Sequence, residues 1–183
     1  QSVQRGDQRL HQSGGDRLLA LAAALFTMIG NRFSLFKTVR RAGIATSDGS
    51  AGMLADLECV SEQGKIVMVV EIKDRVLTIN QLRSKVPDIR ERHVSEIFFV
   101  TQKGISTTEE SDIQNLIDRE YAGGYNIYVL TLSELSNVFS ALLGGRGRRE
   151  FLLEVGNQLD KHSNIIHRWA WAALLRNIQI SLN

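Results

Sequence analysis

Cysteine and proline are nearly missing from this chain, which has one of each, Cys59 and Pro87, in 183 residues. A lone thiol excludes an internal disulfide, so the fold must hold by packing, as expected in a reducing, cytoplasmic interior. Long apolar runs are missing as well. Leu18 to Ile29 is bounded by Asp16-Arg17 and Gly30-Asn31-Arg32, well short of the roughly 18 residues of a membrane span. It also lacks a small-residue cleavage site in a sensible place for a signal peptide, so no membrane association is expected. Charge of one sign is scarce too: a net charge of +2 permits an anionic partner and excludes a histone-like electrostatic binder. Metal-spaced histidines are absent. His11, His93, His162 and His167 are scattered, and the last two are five apart rather than four, so they read as structural or exposed side chains.

What remains is enough for one domain, with 43% hydrophobic residues and a length that buries about 70% of the unfolded surface. The chain begins with Gln1, which suggests a processed protein or part of a larger parent. Residues 1–15 are polar with paired glycines and read as a flexible lead-in. Asp16 opens a helix that is apolar all round through Phe26 and ends near Gly30-Asn31. Phe33 to Arg41 alternates as a strand does, without excluding a helix. A turn-rich stretch, Thr46 to Gly52, leads to two strands, Met53 to Val60 and Lys65 to Ile72, joined by Ser61-Glu62-Gln63-Gly64 as a hairpin.

A helix over Ile79 to Arg92, kinked or divided at Pro87, comes next. Strand, helix and strand then follow over Glu96 to Thr101, Glu109 to Glu120 and Tyr125 to Leu130, before a helix capped by Ser133 that runs to Leu143. Such alternation implies an α/β sandwich with a partly parallel central sheet flanked by helices. Gly144 to Arg149 reads as a basic, flexible break. Helical spacing returns over Glu150 to Leu175, so 148–183 is expected to be a helical C-terminal extension. Trp169 and Trp171 read there as packing residues rather than base-stacking ones.

Charge inside the apolar strands carries the chemistry. Asp56 lies in one strand; fourteen residues later Glu71 and Lys73 interrupt Val67-Met68-Val69-Val70-Glu71-Ile72-Lys73. Burying such groups costs several kcal/mol each unless they are paired or bind a cation. Alternation puts Glu71 and Lys73 on one strand face, with Asp56 and Glu58 sharing a face of the preceding strand. Paired as a hairpin, these strands bring Asp56 and Glu71 together at one end with Lys73 beside them. Mg²⁺, or Mn²⁺ in its place, takes one or two carboxylates, keeps several waters and leaves room for a phosphate oxygen. The Ile72 carbonyl is a candidate to complete the shell. The roles follow from charge: Asp56 and Glu71 hold the metal, and Lys73 orients the attacking water. The plainer alternative is a surface strand with a Glu-Lys pair on its solvated face.

Ala55-Asp56, the turn, Val69-Val70-Glu71-Ile72-Lys73, the following helix and the strand Ile97 to Thr101 together resemble the PD-(D/E)xK nuclease superfamily. The long apolar helix, Asn80-Gln81-Leu82 and Phe98-Phe99-Val100 look, more narrowly, like the catalytic part of SacI-type restriction endonucleases. Ala55 stands where the proline that names the motif would be. The resemblance implies a restriction-endonuclease-like fold with its nuclease domain over residues 16–143. It further implies Mg²⁺-dependent hydrolysis of DNA phosphodiesters in a bacterial restriction or defence system. Double-strand cleavage usually takes two symmetry-related sites, so a homodimer completed by the C-terminal helices is the expected assembly. The alternative function is an inactive nuclease-fold module that grips DNA or a protein partner.

The superfamily often carries an acidic residue on its first helix, for which Asp16 is the candidate, against a simple helix-end charge. Glu58 reads as solvated, with an outer position around the metal as the alternative. Gln81 reads as a helix cap or solvated residue, with a water-orienting role as the alternative. Lys37, Arg40, Arg41, Arg75, Arg83, Lys85 and Lys103 cluster around the motif and are candidate phosphate contacts, each weighed against an ordinary solvated charge. Arg146 and Arg148 join them because a Gly-Arg segment can track a DNA backbone.

Overall fold

The computed structural model describes residues 2–42, 52–162 and 165–181; most of the turn-rich stretch expected over Thr46 to Gly52 lies outside them. The elements in order are α1 (Ser2–Phe33), β1 (Thr38–Arg41), β2 (Leu57–Val60), β3 (Ile66–Lys73), α2 (Ile79–Glu91), β4 (Glu96–Thr101), α3 (Glu110–Ala122), β5 (Asn126–Thr131), α4 (Leu132–His162) and α5 (Ile165–Ser181). The sheet order is β1-β2-β3-β4-β5. The first three strands run antiparallel, and β4 and β5 join parallel to β3. Each parallel step is bridged by a helix, α2 and then α3, as a parallel connection requires.

Alternation along β3 divides the core. Val69, with Ile97, Phe99 and Ile127, packs under Leu82, Val86 and Ile89 of α2 and Ile113 and Leu116 of α3. Val70, with Leu57, Cys59 and Val100, packs under Ala22, Ala23, Leu25 and Phe26 of α1 and Leu135 of α4. Behind that layer Ala20 and Ala24 of α1 meet Val155 and Leu159 of α4, with Trp171 of α5 against them. The result is a three-layer α/β sandwich with a mixed sheet, as the sequence pattern implied. Trp169 departs from the packing expected of it, being 67% exposed. Among the described residues no helix is long and apolar enough to cross a membrane.

Several boundaries differ from expectation. Helix α1 starts at Ser2 rather than Asp16, so residues read as a flexible lead-in are helical. A glycine costs only about 1 kcal/mol in a helix interior, and extending a formed helix is far easier than nucleating one. Its C-terminal end is set by Ser34, in the left-handed region at φ 55, whose amide donates to Gly30 O at 2.8 Å. Gly30 is needed there because a Cβ would stand 2.4 Å from the Phe36 ring. Helix α2 is one uninterrupted element despite Pro87; its buried Leu82, Val86 and Ile89 offset one missing amide.

Thr131, not Ser133, caps α4. The Thr131 amide donates to Glu134 Oε2 at 2.7 Å, and the Glu134 amide donates to Thr131 Oγ1 at 3.2 Å. This is a reciprocal capping box. The expected break at Gly144 to Arg149 narrows to Gly144, with φ 66 and ψ −169, inside an otherwise helical run.

Candidate active site

Strand β3 ends where the parallel part of the sheet ends, the position at which open α/β sheets place their ligands. Glu71 and Lys73 project there toward the α2 side, sharing the face of Val69. Asp56 stands just before β2, one residue ahead of the Leu57↔Val70 pair. That register brings Asp56 beside Glu71, as the hairpin reading required. Asp56 itself is not a strand residue, however, since β2 begins at Leu57 rather than Met53. The Leu54 amide donates to Glu58 Oε1 at 2.8 Å, and a side chain thus takes a donor that a longer strand would have used for its ladder.

Asp56 Oδ2 accepts the Ile72 amide at 2.8 Å, which ties it to the end of β3. Lys73 Nζ donates to Glu71 Oε1 at 2.9 Å. Lys85 of α2 brings a second ammonium 3.2 Å from Glu71 Oε2. Burial, and then the negative charge of Glu71, hold the Asp56 carboxyl above its ordinary range; the Ile72 amide, Lys73 and Lys85 oppose the shift. Glu71 is buried, and its Oε2 is enclosed and accepts no hydrogen bond among the described residues.

Two carboxylates facing each other, with one oxygen lacking a hydrogen bond, suit a hard divalent cation that keeps most of its waters. Among the described residues no group of three or more His, Cys, Asp or Glu side chains is placed to hold a metal ion. A closed cage of the zinc type is therefore not what these donors build. Asp56 and Glu71 are the residues that would hold such a hard cation.

Behind the site the loops are locked together. The Leu77 amide donates to Gly104 O, and the Ser106 amide donates to Leu77 O, each at 2.9 Å. Glu109 Oε2 accepts the Ile79 amide at 3.2 Å. These bonds fix where α2, and hence Lys85, stands against β3.

Glu58 corrects the expectation of a solvated charge. It is 2% exposed, its Oε2 takes Arg40 at 2.8 Å, and its Oε1 takes the Leu54 amide. With both oxygens engaged it shapes the turn carrying Asp56 and has none left for an outer position around the metal. Gln81 spends its Oε1 on the Thr78 amide at 3.0 Å, capping α2. The side chain of Asp16 lies outside the described residues.

The cations expected to meet DNA divide by location. Arg75 lies two residues beyond Lys73, past Asp74, and Arg83 stands on α2 two residues before Lys85; both are exposed. Arg40 shares the sheet face of Glu71 but is held by Glu58. Arg41 points the other way and donates to Gln158 O of α4 at 3.4 Å. Lys37 sits at the far end of β1, 3.4 Å from Glu62. Arg146 pairs with Glu150 at 2.9 Å, and Arg148 donates to Ser140 O at 3.3 Å. Both lie on α4, in the layer across the sheet from Asp56 and Glu71, and on helix rather than a flexible loop.

Sheet order, helical layers and an Asp with Glu-x-Lys at the end of the central strand define a restriction-endonuclease-like protein. The family model of the SacI restriction endonuclease C-terminal domain matches residues 9–105, just over half of the chain. The chain belongs to that family. No curated protein sequence matches it.

Proposed function

We propose that this protein is a Mg²⁺-dependent endodeoxyribonuclease that hydrolyses DNA phosphodiester bonds, with Mn²⁺ as a substitute ion, within a bacterial restriction or defence system. The observation that carries the reading is the convergence of Asp56, Glu71 and Lys73 at the end of β3. Asp56, Glu71 and the Ile72 carbonyl would hold the ion. Bound there, Mg²⁺ supplies Lewis-acid activation of the phosphodiester and of the attacking water. Lys73 donates hydrogen bonds to that water or to a phosphate oxygen, keeping it aligned while charge develops. The Ile72 amide fixes the Asp56 carboxylate so that this donor needs no reorganisation. Arg75, two residues past Lys73, and Arg83, two residues before Lys85, would engage the DNA backbone, which contributes affinity without sequence information. A homodimer, or a longer parent chain, would supply the second site for double-strand cleavage.

A second reading has its own observation. Both Glu71 oxygens already face an ammonium, an arrangement that also suits a module that grips DNA without cutting it. Plasmid cleavage decides between them. The nuclease reading expects cutting in Mg²⁺ or Mn²⁺ by the native chain and its loss, about a hundredfold or more, in Asp56→Ala, Glu71→Ala and Lys73→Ala. Binding of DNA without cleavage by the native, folded chain selects the gripping module.

A further inference from the structure

Lys85 lies outside the Asp and Glu-x-Lys pattern, on α2, yet it reaches the centre of the site. Leu82, three residues earlier, is fully buried against the sheet, which turns this helix face toward β3 and sets Lys85 Nζ 3.2 Å from Glu71 Oε2. The two lysines on Glu71 are not equivalent. Lys73 makes a hydrogen bond to Oε1 at 2.9 Å, whereas Lys85 faces an oxygen that accepts none among the described residues. Attraction without a well-aligned hydrogen bond forfeits much of what a charge-assisted bond contributes. Charge fixes the context. Asp56 and Glu71 against Lys73 and Lys85 balance; without Lys85, two facing carboxylates share one ammonium.

We infer that Lys85 is a stand-in cation for the Asp56 and Glu71 pair: it holds Glu71 Oε2 in the metal-free protein and gives that oxygen up when a divalent cation binds. The inference rests on the nuclease reading, whose metal donors it adopts. Metal and lysine then compete for one oxygen, so Lys85 weakens metal binding while stabilising the empty site. A purely structural lysine would do the second without the first. A lysine serving only as a phosphate contact would do neither.

Calorimetric titration of Mn²⁺ into the full chain without DNA tests the competition, using the native protein, Lys85→Gln, Lys85→Met and Lys85→Arg. The two neutral variants are expected to bind Mn²⁺ about fivefold tighter or more, with the arginine variant within about twofold of native. Unchanged or weaker Mn²⁺ binding in the folded neutral variants overturns the inference.

Should neither neutral variant fold, the native chain still gives an answer. Saturating Mn²⁺ must raise the acylation rate of Lys85, read by peptide mass spectrometry, and no rise at that residue overturns the inference equally. A native chain that binds no Mn²⁺ and cuts no DNA removes the nuclease reading and this inference with it. Native Mn²⁺ binding with unaltered variants removes the inference alone.

Discussion

Arg40→Met separates two jobs that one arginine could hold. Arg40 and Glu58 are direct cross-strand partners in the β1 and β2 register, with Arg40 NH2 2.8 Å from Glu58 Oε2. The carboxylate side chain is 2% exposed and the guanidinium side chain 54%. Breaking a fully enclosed ion pair by removing one partner costs ~3–5 kcal/mol. Water can reach the half-exposed guanidinium position and partly replace it, which lowers the expected loss to ~1–2 kcal/mol. Methionine keeps the aliphatic stem, so lost packing contributes little. Glu58→Gln retains an oxygen for the Leu54 amide but removes the charge that Arg40 answers.

A double-mutant cycle by urea unfolding should therefore give a coupling of ~1 kcal/mol between the two sites. A loss below ~0.5 kcal/mol in Arg40→Met, or additivity within ~0.3 kcal/mol, would refute the structural assignment. DNA binding supplies the other half. If Glu58 is the partner that matters, Arg40→Met leaves the salt dependence of binding unchanged; a bound phosphate would reduce the slope by about one.

Two further outcomes follow from the same geometry. Burial and Glu71 raise the Asp56 pKa above its ordinary 3.8, so the folded state binds this proton more readily than the unfolded one. Stability from this group is present below the unfolded value and is lost as pH rises through the folded one. Asp56→Asn, which can still accept the Ile72 amide, is accordingly expected to raise the melting temperature at pH 7 while abolishing cleavage. The gain should shrink as pH falls toward 4, and a lower melting temperature at pH 7 would contradict the charge argument. Gly30→Ala gains ~1 kcal/mol of helix propensity but sets a Cβ 2.4 Å from the Phe36 ring, an overpacking cost of ~1–3 kcal/mol. Net destabilisation in urea is expected, and a more stable variant would show that the ring moves freely.

Legibility in the sequence tracked how local each cause was. Strand β4 was readable at both ends, and α2 and α3 to within one or two residues, because alternation and helical spacing are visible within a single segment. The hairpin itself was readable from its turn, but the register that sets Asp56 opposite Glu71 depends on a bulge between Cys59 and Val60, which no local pattern announces. Glu58 was misread because its partner Arg40 is eighteen positions upstream and meets it only through the pairing of β1 with β2. The same carboxylate captures the Leu54 amide, which is why β2 starts later than its apolar pattern suggests. Lys85 carried a weaker signal: three positions beyond the buried Leu82, it falls on the sheet side of α2. The packing of Leu82, Val86 and Ile89 on the sheet, together with the loop bonds at Leu77 and Gly104, is what carries this side to Glu71.

Why the site occurs at this end of β3 follows from the neighbours of Glu71. Its partner across the parallel pair is Phe99, and that of Lys73 is Thr101; both are completely buried. One wall beside the carboxylate is therefore a phenyl ring, and the opposite wall is Asp56. Neither compensates a negative charge, and a low-polarity wall strengthens whatever charge is placed opposite. Cations must come from the end of the strand and from the helix above it, the positions of Lys73 and Lys85. On the reverse face of the same strand, Val70 and Ile72 belong to the apolar layer that packs on α1. Strand alternation thus sets the acidic pair on the sheet face that carries α2, beside the end of β3. An ion or phosphate bound to this pair, as proposed, would meet Lys73 and Lys85 first.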